Sequence, residues 1–182
     1  KLGTLGKLYC GQSSTVAEVN NIGKGTLYVT GPEQWNGKHI EEIKWTINPK
    51  RIVPAGTIFI TVKGAGVGKL FPGISCAIGR DVYAYLPLEK LNFKFAYYAL
   101  KHSIDLVISK AKGDIPGLAK NHILDHEIGI CSLVEQDKTI QAIESRLSVA
   151  DKMEESITQS LLQSEMLRQS ILKKAFNGEL VT

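Results

Sequence analysis

The sequence is poor in cysteine and has no long apolar run, and each shortage excludes a class of protein. The three cysteines, Cys10, Cys76 and Cys131, are odd in number, far apart and without CxxC spacing. They favour neither a disulfide scaffold nor a thiolate zinc site. We therefore expect no bound metal and a protein that resides in a reducing cytoplasm. No stretch of eighteen apolar residues is present, so no membrane-spanning helix is expected. The first ten residues lack the apolar core of a secretion signal.

Glycine and proline are missing from Ser132 to Asn177, although both are frequent before this stretch. The change predicts a globular domain over residues 1–131 and a long helix within 132–182. Ser132 and Glu135 fit a capping box at the start of the helix, and Asn177-Gly178 is typical of its end. The sequence therefore predicts a helix of about 40 residues.

The first segment mixes predicted strands with one predicted helix. Short β-branched and aromatic runs bounded by Gly, Pro or Asp predict strands at 25–30, 56–62 and 81–87, and one at 70–78 interrupted at Pro72-Gly73. From Phe93 onward the apolar residues follow the helical period. A short helical turn is expected around His122–His126. We therefore predict an α+β fold, with strands predominating in the globular domain.

The positive charge is concentrated in the first segment. Residues 1–134 contain 16 Lys and Arg against 10 Asp and Glu, a net charge of +6, whereas residues 135–182 contain 6 against 8, a net charge of −2. If the protein binds a polyanion, the first segment should bind it. Such a surplus is also common in proteins that bind no nucleic acid.

An apolar stripe runs along the long helix at alternating steps of three and four. Its members are Ile143, Leu147, Ala150, Glu154, Ile157, Leu161, Ser164, Arg168, Ile171 and Ala175. A helix of this length cannot bury the stripe within itself, which favours pairing with a partner helix. The alternative is a helix that packs down on its own domain.

The polar members of the stripe indicate a direction for the pairing. In a parallel homodimer Glu154 would face Glu154 and Arg168 would face Arg168, and both like-charge contacts are costly at a seam. In an antiparallel pair centred on Leu161, each Glu154 faces an Arg168. The sequence therefore predicts an antiparallel coiled coil formed by self-association.

Both segments resemble parts of a known family. LRQSILKKAFNGELV (167–181) and SLVEQDKTIQAIESRLSVADKMEESI (132–157) resemble the conserved helix of type I restriction–modification specificity subunits. The family's prolines before the Glu135-Gln136 pair are absent here. The opening KLGTLGKLYCGQSS (1–14), VPAGTIFITVKGAGVGK (53–69) and GDIPGLAKNHIL (113–124) resemble parts of the family's target-recognition domain.

The resemblance implies a protein that reads DNA without catalysing a reaction. Subunits of this family bind a split double-stranded DNA target and hold methyltransferase and restriction subunits on it, without a catalytic site or cofactor. A full-length subunit has two recognition domains and two helices. One of each is present here, so the resemblance implies either half of a longer protein or a homodimer.

The glycine-rich run KGAGVGKL (63–70) does not match a phosphate-binding loop. Lys63 and Leu70 occupy positions where the nucleotide-binding pattern needs Gly and Ser or Thr, and Lys69 replaces the third Gly of the dinucleotide pattern. The run is either a tight turn between strands or a loop that approaches DNA.

Donor-rich loops supply the candidate DNA-binding residues, because Gln and Asn suit adenine while Lys and Arg suit guanine or phosphate. One cluster comprises Gln34, Trp35, Asn36, Lys38 and His39; the glycine-rich loop adds Lys63, Gly64, Gly66 and Lys69; and Arg80, Lys110, Lys112, Lys120, Asn121 and His122 complete the set. For each residue the alternative is a solvated surface side chain.

Two other functions remain possible from the sequence. Glu33, Glu42 and Lys44 faintly match the core of a small Mg²⁺-dependent nuclease, although a chance match is the simpler interpretation. The chain could also be a coiled-coil adaptor without affinity for DNA. His122 and His126 lie four apart, but no third metal ligand is adjacent.

Overall fold

A computed structural model of the protein describes residues 1–64, 66–109 and 117–180. The strands are β1 (Gly6–Cys10), β2 (Val19–Asn20), β3 (Thr26–Val29), β4 (Trp45–Thr46), β5 (Ile52–Val53), β6 (Ile58–Thr61), β7 (Leu70–Pro72), β8 (Cys76–Ile78) and β9 (Val82–Pro87). The α-helices are α1 (Phe93–Ser109), α2 (Lys120–Leu124) and α3 (Leu133–Phe176).

The chain divides into two compact units, one over Lys1–Asp137 and one from Lys138 onward. The first unit contains the strands, α1, α2 and the first turn of α3. The second consists mainly of the remainder of α3. Sheets followed by a long carboxy-terminal helix confirm the α+β class expected from the sequence.

A four-stranded antiparallel sheet in the order β1-β9-β6-β7 forms the centre of the first unit. Its strand β6 is buried on both faces, because Ile58 and Ile60 pack with Leu100 of α1 while Phe59 packs toward the second sheet. The continuous apolar run at 58–60 reflects this double burial.

A second sheet of five short strands has the order β2-β4-β3-β8-β5, in which β3 and β8 are parallel. Val29 and Ile78 of this sheet pack against Phe59 and Phe71 of the first. The first sheet is therefore covered by α1 on one face and by the second sheet on the other.

The stretch at 70–78, predicted as one interrupted strand, contributes a strand to each sheet. β7 pairs with β6 in the first sheet, whereas β8 pairs with β3 and β5 in the second. The chain leaves the first sheet at Pro72-Gly73, where proline supplies no N–H to continue the ladder. The predicted interruption is the point at which the chain changes sheets.

Helix α3 begins and ends where its capping residues predict. The Glu135 carboxylate accepts hydrogen bonds from the Ser132 backbone N–H (3.0 Å) and hydroxyl (2.8 Å), which lower the pKa of Glu135. At the other end Gly178 has a φ of +74°, and its N–H donates to the Ala175 carbonyl at 3.2 Å. None of the helices in the part of the chain described here is apolar enough over a sufficient length to cross a membrane.

Candidate nucleic-acid interface

The glycine-rich loop, residues 63–69, is the turn that closes the antiparallel β6–β7 pair. Gly64 and Gly68 have φ values of +81° and +83°, a backbone conformation that favours glycine. The Val67 N–H donates to the Gly64 carbonyl at 3.2 Å, and the Lys69 N–H donates to the Gly66 carbonyl at 3.0 Å. The run is thus a tight turn between strands, and Lys63 and Lys69 lie exposed on either side of it.

The backbone of the glycine-rich loop also lies very close to two other elements. A Cβ on Gly66 would lie 2.5 Å from Cγ of Pro32, in the 3-10 turn Pro32–Gln34. A Cβ on Gly68 would overlap Cδ1 of Ile108 in α1. The loop is therefore packed between the Pro32 turn and α1, which brings two of the sequence-predicted clusters together.

A cleft of about 540 Å³ opens between the glycine-rich loop and the end of β3. We call it the Gly-rich cleft; its charged lining residues are Glu33, Lys63, Lys69 and Asp81. Lys63 and Lys69 were predicted from the sequence to bind DNA, whereas Glu33 was considered only for the nuclease alternative and Asp81 was not predicted. The cleft thus combines hydrogen-bond donors with acceptors, which suits recognition of the edges of bases.

The hydroxyl of Thr61 is a further polar group at the Gly-rich cleft. Thr61 is buried at the end of β6, and its Oγ1 has no hydrogen-bond partner among the described residues. Buried hydroxyl groups in folded proteins normally have a partner, so this one is available to a ligand. Its position immediately before a glycine-rich loop is the sequence signal that could have identified it.

The loop at 34–39 corrects one sequence-based expectation. Gln34 was expected to read DNA, but its side chain is fully buried. Its Oε1 accepts from the Thr30 N–H at 2.8 Å, and its Nε2 donates to the Tyr28 carbonyl at 3.1 Å. Gln34 therefore stabilises the end of β3 and cannot reach a base.

The remaining residues of this loop differ in their availability. Trp35 is half-buried and stacks on Phe71, with ring centroids 5.8 Å apart. Asn36 is exposed, but its Oδ1 accepts from the N–H groups of Lys38 and His39, both at 3.0 Å, and so shapes the turn. Lys38 and His39 are exposed.

The segment at 117–122 joins the glycine-rich loop through its backbone. Lys63 forms an isolated β-bridge with Gly117, and the Leu118 N–H donates to the Val62 carbonyl at 2.9 Å. Lys120 and Asn121 are exposed, whereas His122 Nδ1 accepts from the Ala119 N–H at 3.2 Å and stabilises the start of α2. Lys110 and Lys112 lie outside the described residues.

Arg80 lies next to the Gly-rich cleft. It is exposed, and its Nε is 3.7 Å from the Asp81 carboxylate, which lines the cleft. Three stretches of the sequence therefore line this cleft: the Pro32 turn, the glycine-rich loop and the β8–β9 turn. The segment before α2 reaches the glycine-rich loop through the bridge between Gly117 and Lys63.

Two of the three residues of the nuclease alternative, Glu33 and Lys44, are linked through the hydroxyl of Thr30. Lys44 Nζ donates to the Thr30 hydroxyl at 2.8 Å, and this hydroxyl donates to Glu33 at 3.1 Å. Glu42 is exposed. Across residues 1–64, 66–109 and 117–180, no three or more His, Cys, Asp or Glu side chains are grouped to hold a metal ion. His126, the other histidine considered, is buried, with Nε2 2.8 Å from the Ser103 hydroxyl.

The stripe predicted for helix pairing is exposed along α3. Leu147, Ile157, Leu161 and Ile171 are 44–67% exposed. Ile143 is half-buried, and the other members of the stripe, Ala150, Glu154, Ser164, Arg168 and Ala175, are exposed. The helix thus presents the surface on which the pairing prediction depends.

Comparison with solved structures identifies the fold. A chain from a study of complex assembly and conformational transition of the type I restriction–modification system aligns with a TM-score of 0.88 and 24% identity, over 98% of this chain and 45% of that chain. The HsdS subunit from Thermoanaerobacter tengcongensis aligns with a TM-score of 0.79 and 23% identity, over 98% and 44%. The type I S subunit from M. genitalium gives 0.54 and 24%, over 98% and 45%.

The chain has the fold of half a type I specificity subunit. It spans slightly less than half the length of the S subunits that it matches. A comparison of the sequence with protein-family models gives no match, and neither does a comparison with curated protein sequences. Within this chain, the glycine-rich loop lies in the strand-containing unit and the exposed stripe lies on the long helix.

Proposed function

We propose that this protein is a sequence-specific DNA-binding specificity subunit, or half of one, in a type I restriction–modification system. In this role it catalyses no reaction and reads one half of a bipartite target. The observation that carries the proposal is one cleft, in a specificity-subunit fold, that is lined by the Pro32 turn, the glycine-rich loop and the β8–β9 turn, with the segment before α2 bridged to Lys63. The net charge of +6 over residues 1–134 supports a polyanionic partner.

Contacts to phosphate would position the protein on the duplex, and contacts to bases would give specificity. Lys63 and Lys69 are exposed at the two ends of the glycine-rich loop, where they can bind phosphate or guanine. Glu33 and Asp81 offer acceptors that suit the N4 amino group of cytosine. The Gly-rich cleft therefore favours contact with G·C pairs in the major groove.

The long helix would set the distance between two reading units. Glu154 and Arg168 lie seven residues on either side of Leu161, so an antiparallel pair brings opposite charges together at both ends. The partner helix belongs to a second copy of this chain or to the other half of a longer subunit. The outer faces of the pair would bind methyltransferase subunits, which in turn act with the restriction subunit.

The salt dependence of DNA binding tests the reading surface. Each phosphate contact that is lost lowers the slope of log affinity against log salt by about one. We expect Lys69→Ala to weaken binding of duplex DNA and to reduce this slope by about one.

Lys24→Ala is the matched control, because exposed Lys24 precedes β3 whereas the Gly-rich cleft lies at the other end of that strand. An unchanged slope for Lys69→Ala would remove the glycine-rich loop from the DNA interface. Absence of any salt-dependent DNA binding by the full chain would contradict the proposed function and favour a coiled-coil adaptor.

A further inference from the structure

A second recess, of about 440 Å³, lies beside the Gly-rich cleft and shares Pro32 and Lys69 with it. We call it the aromatic cleft; the residues that matter for its chemistry are Trp35, Lys69, Phe71, Tyr97, Lys101 and Ile104. Tyr97 and Lys101 lie one turn apart on α1, whereas Trp35 follows the Pro32 turn. Three segments that are distant in the sequence therefore build its walls.

Two half-buried aromatic rings, those of Trp35 and Tyr97, line the aromatic cleft. The fully buried ring of Phe71 stacks on one side of Trp35, with an interplanar angle of 18°. Tyr97, also half-buried, contributes a third ring from α1, and burial raises the pKa of its phenol, which therefore stays neutral. Such walls suit a planar ligand with apolar faces, since stacking needs only a π-face.

The charge of the aromatic cleft is entirely positive. Lys69 and Lys101 are exposed at its rim, and none of the described residues that line it is acidic. The Gly-rich cleft beside it, by contrast, contains Glu33 and Asp81. A ligand that is planar, apolar on its faces and negatively charged at one end fits the aromatic cleft, and a nucleotide has these properties.

We propose that the aromatic cleft binds one unpaired nucleobase of the DNA, stacked between Trp35 and Tyr97, with an adjacent phosphate bound by Lys69 and Lys101. A base inside a duplex has both faces covered by its neighbours, so it must leave the stack to enter. This inference rests on the proposed DNA-binding function and extends it from paired to unpaired nucleotides.

The test compares three DNAs: a fully paired duplex, the same duplex with one extra, unpaired adenine in one strand, and one in which an abasic nucleotide replaces that adenine. The last two have equal numbers of phosphates. We expect the full chain to bind the duplex with unpaired adenine about tenfold more tightly than the other two, which is within the range of one base–aromatic stack.

The intrinsic fluorescence of the protein provides a second readout. The chain has two tryptophans, Trp35 and Trp45, so Trp45→Phe leaves Trp35 as the sole reporter. Stacking should quench Trp35 with the unpaired adenine and not with the abasic nucleotide. Equal quenching by the abasic DNA, or by a phenylalanine-containing peptide without phosphate, would mean that the cleft binds apolar ligands in general and would overturn the proposal.

Two substitutions at Tyr97 distinguish the loss of base stacking from the loss of folded structure. Tyr97→Phe keeps the ring and should keep the tenfold preference, whereas Tyr97→Leu keeps an apolar side chain and should abolish it. Lys101→Ala, at an exposed position, should weaken binding of the unpaired-adenine and abasic DNAs alike. A preference that survives Tyr97→Leu would overturn the inference.

The experiment also distinguishes the inference from the function on which it rests. Equal affinity for all three DNAs would overturn the nucleobase assignment and leave the DNA-binding proposal standing. Failure to bind any of the three DNAs at low salt would contradict both.

Discussion

The side chain of Gln136 is fully buried and accepts a hydrogen bond from the Asn92 backbone N–H, 2.8 Å from its Oε1. The Nε2 of the same side chain donates to the carbonyls of Lys90, at 3.0 Å, and Cys131, at 2.9 Å. Asn92 in turn donates from its own side chain to Asp137 at 3.0 Å. One carboxamide therefore satisfies three backbone groups and joins the first turn of α3 to the segment before α1.

We expect Gln136→Ala to destabilise the fold by about 1–3 kcal/mol, because it removes three part-buried hydrogen bonds made by a fully buried side chain. Gln136→Glu should destabilise it as well, since a carboxylate cannot donate to the two carbonyls. Denaturant unfolding of the full chain measures both changes, with Lys138→Ala as a control two residues further along the helix. A change within 0.5 kcal/mol for Gln136→Ala, about the effect of an ordinary surface substitution, would show that these bonds contribute little.

Alanine substitutions at the two positive-φ glycines of the glycine-rich loop distinguish the cost of backbone strain from the cost of a packing clash. Gly64 and Gly68 have nearly equal φ values, but a Cβ on Gly64 meets nothing within 4 Å, whereas one on Gly68 overlaps Ile108. Gly64→Ala should therefore cost about 1–2 kcal/mol, the ordinary strain of a left-handed residue. Gly68→Ala should cost more, because it also displaces the loop from α1.

Thermal unfolding of the two alanine variants, side by side, measures the difference. Equal losses would mean that the contact between the loop and α1 adds nothing to the strain. DNA affinity should fall further for Gly68→Ala, since Lys69 follows it directly and would move with the loop.

Local composition predicted the longer elements because burial and capping restrict the residues that form them. The continuous apolar run of Ile58, Phe59 and Ile60, buried on both faces, and the capping of α3 by Ser132 are local properties that the sequence displays. Strands of two residues, such as β2, β4 and β5, are too short to show any period and were not predicted.

The assembly of the candidate site could be predicted only in part, because it depends on contacts between distant segments. The contact of Gly66 with Pro32 joins two loops whose proximity no local pattern indicates. Gln34 was wrongly expected to face DNA, because the sequence does not show whether an amide side chain in a loop is buried or exposed. Tyr97 and Lys101, one helical turn apart, were detectable as a pair, but their position in the same recess as Trp35 was not.

The hydrogen bonds that the Glu18 carboxylate accepts stabilise the fold to an extent that depends on pH. This carboxylate accepts hydrogen bonds from the Thr15 N–H, the Asn48 side chain and Lys50, and these lower its pKa from 4.5 to about 2. A carboxyl whose pKa is lower in the folded than in the unfolded state adds stability above the unfolded pKa. That stability is lost as the pH falls from about 4.5 to about 2.

We therefore expect Glu18→Gln to lower the melting temperature at pH 7 and the difference from the unsubstituted protein to shrink below pH 4.5. Melting temperatures between pH 7 and pH 2 measure this, and Glu89→Gln, at an exposed position, is the control. A difference that stays constant over the whole range would show that the charge of Glu18 is not responsible.

The direction of the helix pair can be decided by disulfide crosslinking of the full chain, after the exposed Cys131 is replaced by serine. In an antiparallel pair centred on Leu161, position 154 of one chain lies opposite position 168 of the other. Chains with Glu154→Cys, tagged to distinguish them, should therefore crosslink to chains with Arg168→Cys, because a disulfide needs Cα atoms within about 7 Å.

Leu161→Cys is the matched control, because the centre of the helix faces itself in both directions of pairing. If it crosslinks and position 154 joins position 168, the opposite charges of Glu154 and Arg168 set the direction. If it crosslinks and position 154 joins only itself, the pair is parallel, and the like charges must be tolerated at the seam. If Leu161→Cys does not crosslink, the exposed stripe is not used for self-association, and pairing with the second helix of a longer subunit becomes the arrangement to test.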